Sequence, residues 1–259
     1  MFLKIIAAFA VVSLGFIVSA PSVGAESPSQ PTLHPCTAPN YVSSSPSASV
    51  TYGSKTVNAD VWNDESDSTT LYACSAKSWY SVSSSPNDGK SVQSYPDTQE
   101  QFSDPTVESI PDLESNFAYE TSACNKGDAW ETAYDIYLGG PTSWANAPEH
   151  TEMMIWGTNC NQSLGETEVA TDVPISGYTF DIYESGAFGD SQGVFLIYLA
   201  TSSITSGTYD LSDFFNDAAN RGYLSDGTST HLWAVDNGGE FCQGSNVTIG
   251  LEAFSAKEV

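Results

Sequence analysis

Short runs of alternating apolar and polar residues, separated by turn residues, recur from Thr51 onward. Successive side chains of a strand point to opposite faces, so such runs mark half-buried β-strands. They predict strands at Thr56–Trp62, Ser78–Val82, Thr132–Leu138, Thr151–Trp156, Tyr178–Tyr183, Val194–Ala200, His231–Asn237 and Val247–Phe254. Asn87-Asp88-Gly89, Gly139-Gly140-Pro141 and Gly238-Gly239 supply turns between them. One segment has the helical period instead. Over Asp210–Arg221, Leu211, Phe214, Phe215 and Ala218 form one apolar face, Asp210 or Ser212 can cap the start, and Gly222 follows the end. Many short strands with one late helix predict an all-β fold: a jelly-roll sandwich of two packed antiparallel sheets with one short helix and an open cleft.

The N-terminal pattern is different. Lys4 precedes an apolar run from Ile5 to Ile17, and Val23-Gly24-Ala25 offers small residues at cleavage spacing. This predicts a secretory signal peptide over residues 1–25, cut after Ala25 or after Ala20. Residues 26–50 are rich in Ser and Pro and read as a leader, leaving 51–259 as the domain. No later stretch is apolar for long enough to span a bilayer.

Charge narrows the partners. The chain has 7 Lys and Arg against 32 Asp and Glu, a formal net charge of −25. Such a surface has no footprint for nucleic acid or an anionic membrane. It suits a secreted protein working in acid, where protonation lowers self-repulsion. A monomer is expected. Cys36, Cys74, Cys124, Cys160 and Cys242 predict two disulfides and one free thiol in an oxidising compartment. His34, His150 and His231 are scattered and no Cys-x-x-Cys occurs, so neither metal nor cofactor is expected. Asn161-Gln162-Ser163 and Asn246-Val247-Thr248 fit the glycosylation sequon.

The candidate chemistry lies in Thr151–Trp156. Glu is depleted in strands and rarely buried. Alternation puts Glu152, Met154 and Trp156 on one face, and a carboxylate, a thioether and an indole together resemble the floor of a sugar-binding cleft. Hydrolysis of a glycosidic bond usually takes two carboxyl groups. The best partner is Glu240, which ends a β-run behind Gly238 and Gly239.

At this point the chain resembles glycoside hydrolase family 12, a family of endoglucanases and xyloglucanases. Glu152-Met153-Met154-Ile155-Trp156 is similar to its nucleophile strand, and Gly238-Gly239-Glu240-Phe241 to its acid/base segment. Ala133-Tyr134-Asp135-Ile136, Val92-Gln93-Ser94-Tyr95-Pro96-Asp97, Val61-Trp62-Asn63 with Cys74 and Trp79, and Asp213-Phe214-Phe215 with Gly222-Tyr223 follow in matching order. The chain departs from the pattern at Asp60, Gln93, Phe241 and Cys242. The resemblance implies a secreted endo-β-1,4-glucanase acting on a polysaccharide by a retaining double displacement. It implies Glu152 as nucleophile, Glu240 as acid/base with the raised pKa, and Asp135 as a supporting acid beside the nucleophile, placed to orient Glu152 through a hydrogen bond and tune its pKa. Trp62, Trp79, Trp156 and Met154 would bind substrate. A Cys36–Cys74 disulfide is implied too; a Cys160–Cys242 bridge would then fix the cleft and leave Cys124 free. A family 11 xylanase and a non-catalytic glycan-binding relative are the competing readings.

Overall fold

The structure is a computed structural model describing residues 36–62, 68–86, 91–103, 105–140, 150–186, 193–224 and 229–258, with His150 described by its backbone. The expected signal peptide, His34, Asn63, the turn at Asn87-Asp88-Gly89 and Pro141 lie outside those residues.

The first strands are β1 (Tyr41–Ser43), β2 (Ser49–Tyr52), β3 (Lys55–Asn58), β4 (Ser68–Ser75), β5 (Ser78–Ser85), β6 (Asp97–Gln101) and β7 (Leu113–Thr121). Then come β8 (Ala129–Gly139), β9 (His150–Cys160), β10 (Thr167–Ile175), β11 (Tyr178–Ser185), β12 (Phe195–Ala200) and β13 (Ser206–Asp210). Helix α1 (Leu211–Asn220), β14 (His231–Gly238) and β15 (Phe241–Glu258) complete the order. One sheet runs β2-β3-β6-β14-β8-β9-β12-β11-β10, and the other β1-β4-β5-β15-β7-β13. The start of β15 also bonds to β8 through Phe241 and Trp130, which ties the sheets together. Pairing is antiparallel except between β9 and β12. This is the predicted all-β jelly roll with one parallel pair added.

Between the sheets lies a large core in which Leu71, Trp79, Phe117, Tyr134, Ile136, Met153, Ile155, Phe180 and Tyr198 pack together. Helix α1 closes one end of it. Asp210 accepts from the Ser212 N–H at 3.0 Å, Phe214 meets Phe180 and Tyr198 edge-on, and Gly222 ends the segment at φ +82°.

Some elements depart from expectation. Strand β1 and the start of β2 fall within the Ser/Pro-rich stretch 26–50. The strand expected over Thr56–Trp62 stops at Asn58, because Asp60 turns the chain with φ +40° and Val61 then only bridges Ser94. Strands β4, β6, β7, β10 and β13 were not predicted; β10 is largely exposed.

The disulfides are Cys36–Cys74, as implied, and Cys124–Cys160. The expected Cys160–Cys242 bridge is therefore wrong, and Cys242 rather than Cys124 is the free thiol. Phe241 packs in one cluster with Cys160 and Trp130, so its neighbour Cys242 points to the other side of β15. Among the described residues no helix is long and apolar enough to cross a membrane.

Candidate active site

Strand β9 carries two faces. Met153 and Ile155 enter the main core, while Met154 and Trp156 join a second cluster with Ala133, Phe195 and Ile197. Glu152 shares that second face and is 7% exposed. Across the sheet, Tyr137 stands opposite Glu152 and Asp135 opposite Met154 on β8. Asp236 of β14 stands opposite Asp135, Gln99 of β6 opposite Asp236, and Asp97 opposite Gly238. Regular antiparallel register thus gathers acids from four strands onto one face.

Glu240 reaches this face from the β14–β15 turn. Two close approaches make the turn: a Cβ on Gly238 would lie 1.9 Å from the Pro96 carbonyl oxygen, and one on Gly239 would lie 2.2 Å from the Glu131 carbonyl oxygen. Only glycine fits either place. Glu131 then clamps the turn. Its N–H donates to the Glu240 carbonyl at 3.0 Å, and its Oε1 accepts from the Glu240 N–H at 2.7 Å. The Gln162 amide donates to Glu240 Oε2. Gln162 is itself held by Asn159, which accepts from the Gln162 N–H at 2.9 Å, next to the Cys124–Cys160 bridge.

The electrostatics are one-sided. The charges acting on these acids come from other carboxyls. Burial, then Asp135, Glu240 and Asp236, push Glu152 up to about 10. Burial, then Asp135 and Glu166, push Glu240 up to about 7 against the Gln162 hydrogen bond. Asp135 rises to about 7 through burial and Asp60, opposed by the Tyr137 hydroxyl donating at 2.7 Å. Burial raises Asp97, Asp236 and Glu131 well above the carboxylate range. The expectation that Glu240 would be the raised partner therefore covers only half of the pair. Asp135 is beside Glu152, but its hydrogen bond goes to Tyr137.

The aromatic candidates divide. Trp62 is 54% exposed, and its side chain hydrogen-bonds to Asp60. Trp156 and Met154 are on the face of Glu152 but buried, the indole N–H donating to the Met154 sulfur at 3.4 Å. Trp79 does not belong to the cleft. It lies in the core, 1% exposed, with its N–H donating to Thr98 at 2.6 Å. Sequence reasoning missed Glu131, Asp236, Tyr137 and Gln162. Strand parity with Asp135 was the available signal for Glu131 and Tyr137; register was needed for the rest.

A jelly roll with paired buried acids on one open face defines a class, the β-sandwich glycoside hydrolases. The sequence pattern of glycosyl hydrolase family 12 matches residues 48–258, and the chain belongs to that family. It is 28% identical over 187 residues to a xyloglucan-specific endo-β-1,4-glucanase A of Emericella nidulans, covering 69% of this chain and 72% of the relative. Among solved structures it is similar to a family 12 xyloglucanase from Bacillus licheniformis, with TM-score 0.74 at 21% identity over 84% of this chain and 99% of that one. The xyloglucanase domain of NopAA from Sinorhizobium fredii, solved with cellobiose, gives TM-score 0.71 at 22% identity over 84% and 100%.

Proposed function

We propose that the protein is a secreted endo-β-1,4-glucanase that cleaves internal bonds of a β-glucan, xyloglucan included, with retention of configuration. One observation carries the reading. Glu152 and Glu240 come from elements far apart in the chain, yet both meet strand β8: Tyr137 stands opposite Glu152, and Glu131 accepts from the Glu240 N–H at 2.7 Å. Glu152 is the nucleophile. Glu240 donates its proton to the leaving oxygen and then takes one from the attacking water. Its elevation to about 7 keeps it protonated in acid and ready to reprotonate. Asp135 tunes Glu152 by charge, and Trp62 stacks on a glucosyl ring. Residues 1–25 act as a signal peptide, residues 26–50 as a leader ahead of the catalytic domain of 51–259, and the enzyme works as a monomer without metal.

Reducing-sugar release from barley β-glucan, xyloglucan and xylan tests the substrate class. Activity on the first two and not on xylan is expected. Xylan cleavage alone points to the xylanase reading, and glucan binding without cleavage to the non-catalytic one. NMR of the first product, showing the β-anomer before mutarotation, checks retention.

A further inference from the structure

Asp236 has no part in that chemistry. It sits on β14 directly opposite Asp135 of β8, and each is 5% exposed. Opposed side chains in an antiparallel pair stand about 4.5–5.5 Å apart at Cβ. The two carboxyls are bonded alike. Asp135 Oδ2 accepts from the Tyr137 hydroxyl at 2.7 Å, and Asp236 Oδ2 accepts from the Gln99 amide at 3.1 Å. Among the described residues, Oδ1 of each is buried and without a hydrogen-bond partner. An unpaired buried acceptor costs about 1–3 kcal/mol, and two adjacent carboxylates repel as well.

A single proton resolves both problems, since the protonated oxygen donates to its neighbour. The titratable groups facing Asp236 are Asp60 after β3, Tyr95 and Asp97 at β6, Asp135 and Tyr137 on β8, and Glu152 on β9. All are acids or phenols. Among the described residues no cluster of three His, Cys, Asp or Glu could hold a metal ion. We propose that Asp236 is a positioning residue that shares one proton with Asp135, and that this proton discharges the surroundings of Glu152 so that the nucleophile can ionise. The inference rests on the reading of Glu152 as nucleophile. It also accounts for how Glu152 works among acids: charges on Asp135 and Asp236 both oppose its ionisation, and the shared proton cancels one of them. Loss of that proton at higher pH restores the second charge and ends turnover.

Asp236→Asn tests this. The amide donates permanently to Asp135 Oδ1 and carries no charge. The variant fixes the charge that the proton-sharing pair carries, so the acid limb of kcat/KM is expected to stay in place and the alkaline limb to extend upward. Asp135→Asn, the mirror variant, should extend the alkaline limb in the same way and serves if Asp236→Asn folds poorly. Asp236→Leu should lower kcat at least about tenfold at every pH, since it leaves Asp135 Oδ1 unpaired. Profiles of both Asn variants that superimpose on the wild type overturn the proposal. Glu152→Gln separates the two readings. If it keeps turnover, the nucleophile assignment fails. If it is inactive, a 2-deoxy-2-fluoro cellobioside labels Glu152 in the wild type, and the Asn profiles stay unmoved, proton sharing alone fails.

Discussion

Glu131 shows what one residue contributes without touching a substrate. It is fully buried, and its Oε1 holds the N–H of Glu240 at 2.7 Å while its own N–H holds the Glu240 carbonyl. Burial and the charge of Glu240 push its pKa well above the usual carboxylate range, and its Oε1 serves as an acceptor. Glu131→Gln keeps an acceptor of the same reach and should retain kcat within about threefold. Glu131→Met keeps the volume and leaves the Glu240 N–H unpaired. An unpaired buried donor costs about 1–3 kcal/mol, so kcat should fall roughly 5- to 100-fold with KM nearly constant. Steady-state kinetics on barley β-glucan make the comparison, and equal losses in both variants overturn it. Trp62 gives the converse pattern. Its ring is open to solvent and its loss disturbs no core, so Trp62→Ala should raise KM about three- to tenfold at unchanged Tm. An unaltered KM removes Trp62 from the cleft.

At the scale of elements, the β14–β15 turn is where the sequence pattern is tightest. A Cβ at Gly239 meets backbone, which cannot move aside as a flexible side chain can. Gly239→Ala is expected to destabilise by about 1–3 kcal/mol or more and to displace Glu240. Gly165→Ala, where a Cβ meets nothing within 4 Å, should leave stability and activity unchanged. Urea unfolding of the two variants checks the contrast. The same elements show what could be read beforehand. Alternation along β9 predicted the face of Glu152, because strand parity is local. The helix was readable from its caps and apolar stripe. Gln99 and Gln162 were not, since they arrive through pairing across the sheet and a loop anchored by Cys160. Trp79 misled because alternation shows that a residue is buried but not on which side of a two-layer sandwich. Cys242 misled for a related reason: nearness to a catalytic strand in sequence does not fix which way the thiol points.

The whole molecule is acidic outside and within the cleft, and this sets how its stability depends on pH. The unfolded-chain values for Asp and Glu are about 3.9 and 4.3. In the folded protein Asp135 and Glu240 sit at about 7 and Glu152 at about 10, all raised. A raised carboxyl binds its proton more tightly in the folded state. Between the two pKa values the native protein therefore holds more protons than the unfolded chain, and stability falls as pH rises. The window follows from these groups. Their contribution is complete below about pH 4 and declines through about 7 as Asp135 and Glu240 ionise, the raised Glu152 acting in the same direction. Repulsion within a chain of net charge −25 acts in the same direction, since it too fades with protonation. Most proteins lose stability when their carboxylates are protonated; this one should gain it. Calorimetry should find Tm several degrees higher at about pH 4.5 than at about pH 8. In Glu152→Gln the slope should flatten, because that variant removes one of the raised carboxyls. A Tm that peaks near neutrality, or a slope unchanged in Glu152→Gln, shows that the buried acids do not govern stability.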